Sequence, residues 1–275
     1  MDKYKEYKTI ANNLRVNIIN MLYEAQSGHP GGSLSACEIL TALYFKEMKV
    51  DPENPNWDER DRFILSKGHG SPVLYSALAE RGYFPKEELN SFRKINSMLQ
   101  GHPDMKDIPG VDMTTGSLGQ GISAASGTAL AGKLDRKDYR VYGLVGDGEV
   151  QEGIVWEMAM FAAHYKLDNL TVFLDHNGLQ IDGKNEDIMN IEPIDEKFKA
   201  FGWHVITIDG HDFDEIFNAI DEAKNTKDKP TMILAKTIKG KGVSFMENQV
   251  GWHGKAPNEE EKEKALEELG GGING

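Results

Sequence analysis

One cysteine in 275 residues, Cys37, leaves no internal disulfide framework and suits a reducing cytoplasm. No stretch approaches the roughly 20 apolar residues of a membrane span, and the opening Met1–Ile10 segment has no apolar signal region. Positive charge is in deficit. Thirty-one Lys and Arg against 44 Asp and Glu leave a net charge of −13, which argues against nucleic acid or an anionic membrane as partner. The same charge repels an anionic cofactor at long range, so a diphosphate site would need a metal and local donors. No internal repeat is present, and no clear linker. What remains is ordinary globular usage, 39% hydrophobic, expected to be soluble and cytoplasmic. Cys37, between Ala36 and Ile39 of an expected helix, reads as buried filler rather than a nucleophile.

Periodicity predicts a helix over 4–25, with Ile10, Leu14, Ile18 and Leu22 on one face. The Ser27-Gly28-His29-Pro30-Gly31-Gly32 run stops it, and a second helix is expected over 35–47. Phe63-Ile64-Leu65 reads as a short strand, with a helix from Pro72. A long region over 95–118, punctuated by Gly and Pro, is of the kind that is usually functional. After a small-residue helix over 121–133, strands (140–145, 171–175, 203–208, 231–236) alternate with helices (151–165, 195–201, 213–224). Such alternation predicts an α/β fold, a parallel sheet of about five strands with helices on both faces. The simplest organisation is a single domain over 1–275. Its tail is a helix over 258–269 with Asn258 as cap, followed by a glycine-rich end that reads as disordered.

Two strand ends carry the chemistry. Val141–Val145 delivers Gly146-Asp147-Gly148, and Thr171–Leu174 delivers Asp175-His176-Asn177. Ligands of parallel sheets bind beyond the carboxyl ends of the strands, where these residues fall. A carboxylate and an amide oxygen on neighbouring strand ends suit Mg²⁺, which takes few protein ligands and completes its shell with water and phosphate. The flanking glycines let the backbone approach a bulky anion such as a diphosphate. Gly-Asp-Gly alone is also an ordinary turn. Four loop histidines, His29, His69, His102 and His253, each have glycine beside them. Singly, each reads as a turn or solvated loop residue. Together they suggest backbone packed around a polar ligand, with imidazoles able to move protons near neutral pH. His164, His176, His204 and His211 are assigned to structure or surface.

These features come together in one resemblance. Ser27–Gly32, Ser66-Lys67-Gly68-His69, Gly101-His102-Pro103, Thr115–Gly121, Gly146–Gly148 with Gln151-Glu152-Gly153, Asp175–Asn177, Lys236-Thr237 and Trp252-His253-Gly254 run in order over almost the whole chain. The sequence resembles the N-terminal, diphosphate-binding part of a transketolase. Related enzymes, the synthase of deoxyxylulose phosphate and the E1 component of pyruvate dehydrogenase, share Gly-Asp-Gly and Asn but are not expected to carry this whole set. Ser117 departs from a common proline, and His176 stands where an acid or amide is also common.

The resemblance implies thiamine diphosphate and Mg²⁺, or Ca²⁺ in its place, with Asp147, Asn177 and the Leu179 carbonyl as metal ligands. It places Gly146, Gly148, His69 and His253 at the diphosphate, Gly116, Leu118 and Ile181 beside the cofactor's rings, and Glu152 at an interchain contact that organises the partner's carboxylate. His29, His69, His102 and His253 would serve the reaction, transfer of a two-carbon ketol unit from a ketose phosphate to an aldose phosphate. Lys239 and Lys241 look like phosphate ligands, with a solvated loop as the alternative. A full transketolase is more than twice as long. The expectation is therefore one subunit of a split enzyme, working with a second chain that bears the pyrimidine-binding domain, as an A₂B₂ assembly acting on sugar phosphates. The alternatives are a non-catalytic regulatory module that binds the same cofactor, or an excised domain. The helix 154–165, apolar round most of its circumference, fits burial at such an interface.

Overall fold

A computed structural model describes residues 3–270. Five parallel strands form its sheet: β1 (Arg62–Leu65), β2 (Val141–Gly146), β3 (Leu170–His176), β4 (His204–Asp209) and β5 (Thr231–Lys236), in the order β1-β2-β3-β5-β4. The side-chain period of two separates the two faces. Phe63, Tyr142, Leu144, Phe173 and Ile233 enter one buried cluster; Ile64, Val141, Val145, Val172 and Met232 enter the other. Both faces are therefore covered, as parallel sheets require. Helices α1 (Lys5–Ala25), α2 (Pro30–Leu34), α3 (Cys37–Ala42), α4 (Ser71–Arg81) and α9 (Phe213–Asn225) pack into or beside the first cluster. Helices α5 (Gln120–Leu134), α6 (Gly153–His164) and α8 (Ile194–Ala200) close the second, while the single turn α7 (Asn185–Ile188) lies in the loop after β3.

The expected elements are present with ends shifted by a residue or two, except after α1. There the glycine run does end the helix, with Gly28 at φ +133°, but Pro30 then occupies the first turn of a new helix, a position its fixed φ favours. The expected helix over 35–47 is also interrupted. It starts at Cys37 and ends in a wide turn in which Met48 N–H donates to the Leu43 carbonyl five residues back. Residues 95–118 are irregular, with Asn96 and Gly110 in left-handed conformations.

At the other end, α10 (Glu259–Glu268) starts as expected. The Asn258 side chain accepts from Glu261 N–H, and Glu261 accepts from Asn258 N–H, a reciprocal cap. This helix lies on α1, where Asn12 donates to the Leu269 carbonyl and Ala265 is buried. The expectation of disorder for 271–275 lies outside the described residues. Cys37 is fully buried and burial pushes its thiol up to about 12, so it is inert filler. Among the described residues no helix is long and apolar enough to cross a membrane.

Candidate functional site

Parallel pairing sets Gly146 beside Asp175 at the carboxyl ends of β2 and β3, so the loops that follow open on the same cavity. That cavity, about 530 Å³, is lined by all four loop histidines together with Gly116, Leu118, Asp147, Asn177, Leu179 and Ile181. Glu152, at the N-terminus of α6, stands exposed at its edge, and Ile181 is 60% exposed. The sequence-derived residues thus converge.

Asp147 is buried with both oxygens fixed. One lies 2.6 Å from His176 Nδ1, and the other accepts Gly178 N–H at 2.6 Å. Each carboxylate oxygen keeps a second lone pair. Asn177 Oδ1 accepts Leu179 N–H at 3.2 Å. The hydrogen bonds that fold this turn go to the Gly178 and Gly183 carbonyls rather than to Leu179. The donor set is one carboxylate, one amide and one carbonyl, all hard oxygens, as a Mg²⁺ completed by a diphosphate would use. The backbone fits too. Gly146 and Gly148, which carry no side chain, both line the cavity.

The histidines form a second group. The rings of His29, His69 and His253 are 5.1–5.4 Å apart, and His102 packs against Gly116. Burial, reinforced by Lys67, holds His69 down at about 2. Burial and Lys239 hold His253 at about 3, and burial and Arg93 hold His29 at about 4. His102 is lowered by the same two influences as His29. All four are therefore neutral at pH 7 and can each donate and accept. His29 Nδ1 is buried and makes no hydrogen bond, a rare state for a buried polar atom.

Sequence reading missed the charged floor of the cavity. Lys67, 2% exposed, donates to Asp175 Oδ2 at 2.5 Å and to the Gly32 carbonyl at 2.6 Å. Burial pushes Asp175 up, but Lys67 and the hydroxyls of Ser35 and Thr237 outweigh it and hold the carboxylate low. The available signal was positional: a charge at the carboxyl end of each of two apolar strands has few reasons to be there except a partner. Glu149 was also missed. It is 1% exposed, and burial raises its pKa against the donors that surround it. Of the two readings for its loop, Lys239 does not fit the solvated one. It is 2% exposed, with Nζ 3.0 Å from His253 Nδ1, and burial plus Lys67 lower it to about 8. Lys241 points elsewhere, toward Glu247 at 3.7 Å. His176 is structural in a particular way, bridging Asp147 and Glu192. Among the other histidines, His164 is exposed against Tyr165, His204 pairs with Glu222, and His211 with Glu38.

Comparison with known proteins gives this cavity a context. Residues 6–273 match the family described as the transketolase thiamine diphosphate binding domain. A 6-deoxy-6-sulfo-D-fructose transketolase subunit of a Clostridium species is 51% identical over 259 residues, 94% of each chain. An apulose-4-phosphate transketolase subunit from Phocaeicola vulgatus is 41% identical, covering 93% of this chain and 90% of its own. The crystal structure of Campylobacter jejuni transketolase superposes with a TM-score of 0.91 at 38% identity, over 96% of this chain. The chain spans 42% of that full-length enzyme.

Proposed function

The chain belongs to the transketolase thiamine-diphosphate-binding family, and from that premise we propose that it is the N-terminal subunit of a split transketolase, forming one diphosphate-binding domain. The carrying observation is the meeting of the β2 and β3 loops with four neutral histidines over one cavity. Bound there, thiamine diphosphate would supply the electron sink for breaking and making a carbon–carbon bond beside a carbonyl. The protein's part is to bind, orient and move protons. Asp147, Asn177 and the Leu179 carbonyl would hold Mg²⁺ or Ca²⁺. Gly146, Gly148, His69 and His253 would receive the diphosphate, and the Lys67 and Lys239 ammonium groups would offset its charge inside an acidic chain. Gly116, Leu118 and Ile181 would flank the rings. His29 and His102, neutral at working pH, would hydrogen-bond a ketose carbonyl and hydroxyl and pass protons between them.

The reaction assigned is two-carbon ketol transfer from a ketose phosphate to an aldose phosphate, of the kind used in pentose phosphate metabolism. The residues that select the sugar would lie on the second chain. That chain would bring the pyrimidine-binding domain, and Glu152 with the outer face of α6 would meet it. The A₂B₂ form follows from sites built between chains. The single buried thiol suits the cytoplasm.

The test is purification of this chain from its source with thiamine diphosphate and Mg²⁺, then assay of the recovered complex. A stoichiometric second chain of the pyrimidine type, and ketol transfer only by the pair, is the expected result. Full turnover by this chain alone would sink the split-enzyme reading.

A further inference from the structure

Three separate loops meet on one carboxylate that no sequence pattern singled out. Glu149 Oε1 accepts Gly119 N–H at 2.8 Å and the Ser66 hydroxyl, while Oε2 accepts Gly146 N–H at 3.2 Å. Ser66 in turn accepts Ile122 N–H at 2.8 Å, which ties the first turn of α5 to the same centre. The three donors come from the end of β1, the entry to α5 and the end of β2.

The two flanking loops differ in how else they are held. Gly146–Gly148 has its own anchors, since Asp147 is fixed by Gly178 and His176. The strap Thr115–Gly119 is secured at its start, where Thr115 Oγ1 donates to the Leu65 carbonyl at 2.8 Å. Its far end rests on Glu149. Gly119 adopts φ +81°, and a Cβ there would lie 2.4 Å from Ile154, so this end is both conformationally special and tightly seated. Between the two anchors lie Gly116 and Leu118.

We propose that Glu149 is a positioning residue that sets the ring-side strap in register with the diphosphate-side loop, so that one cofactor can engage both. This rests on the cofactor assignment above. The carboxylate suits the task because it is acceptor-only, and all three of its neighbours donate. Lys67 lies close enough to offset its charge. A glutamine cannot replace it: whichever way the amide turns, its NH₂ faces at least one N–H or O–H donor. Aspartate keeps the charge but is one methylene too short to span the three loops.

The experiment compares two probes on the complex of this chain with its partner, by calorimetry in the presence of Mg²⁺. Inorganic pyrophosphate uses only the diphosphate half, whereas thiamine diphosphate needs both loops. For Glu149→Gln and Glu149→Asp we expect about a tenfold loss of thiamine diphosphate affinity, with pyrophosphate affinity changed less than about threefold. Equal loss of both probes, as general loosening would give, or loss of neither, overturns the proposal. Glu149→Asp keeps the test valid if the glutamine variant does not fold, and full retention of binding by it would mean that charge rather than reach matters, again overturning the proposal. A wild-type two-chain complex that binds pyrophosphate but not thiamine diphosphate would instead refute the cofactor reading, and the inference with it.

Discussion

At the scale of single residues, the site works by keeping polar groups neutral or paired in a buried place. In the proposed function Asp147 holds the metal, so Asp147→Ala should abolish Mg²⁺-dependent thiamine diphosphate binding; calorimetry showing unchanged affinity would remove the proposed metal site. Lys239 illustrates how burial turns a loop cation toward the cavity. Its stem packs against Gly31, where an added Cβ would lie 2.9 Å away, and its head meets His253. Lys239→Met keeps the stem and deletes the charge. It should weaken cofactor binding about tenfold or more, in line with the roughly 1.5–3 kcal/mol of a hydrogen bond to a charged group. It should also raise the His253 pKa, read by NMR titration, because the lysine is one of the influences that holds it down. The histidines and Asp147 were legible in the sequence because glycine flanks them and apolar runs precede them. Lys67, Asp175 and Glu149 were not, because Lys67 meets Asp175 across 108 positions and Glu149 meets Ser66 across 83.

At the scale of elements, α6 and α10 show two different uses of a helix. Val155, Met158, Ala159 and Ala162 of α6 are buried on the sheet, yet Met160 is 54% exposed and the adjoining Tyr165 is 47% exposed. An outer face that exposes Met160 and Tyr165 beside Glu157 and His164, on a helix that starts at the cavity edge, is suited to a protein partner. Met160→Glu is expected to prevent assembly with the second chain in size-exclusion chromatography while leaving the melting temperature of the free chain within a degree or two. α10 has the opposite composition, and its start depends on the reciprocal cap. Asn258→Ala should cost about 1 kcal/mol in denaturant unfolding, with the loss confined to the packing of α10 on α1. Helix identity was readable from these local patterns. The break at Ser35-Ala36 was not, because it follows from how Pro30 and Cys37 seat two short helices, not from any breaker at the break itself.

For the whole molecule, acidity and burial act together. The chain carries −13, so an anionic cofactor should be held only when a divalent cation neutralises it; chelation with EDTA is expected to release thiamine diphosphate, and retention would count against the metal. The buried histidines also give the fold a pH dependence. Their folded pKa values, about 4, 2 and 3, lie below the ordinary value near 6.5, so the unfolded chain binds more protons over that interval. Stability should therefore be complete above about pH 6.5 and fall as the pH is lowered toward 4, with a melting temperature that drops over this range and a shallower drop in His69→Asn. The sequence by itself determined the alternation of strands and helices, the two-faced sheet and the residues at the strand ends. These follow from periods of two and 3.6 and from the residues that stop each run. Only the tertiary structure decided that β5 lies between β3 and β4, that Lys67 closes on Asp175, that Lys239 turns inward while Lys241 does not, and that one glutamate ties three loops. Most of these depend on contacts between segments far apart in the chain, set by how the layers pack, which no local pattern encodes.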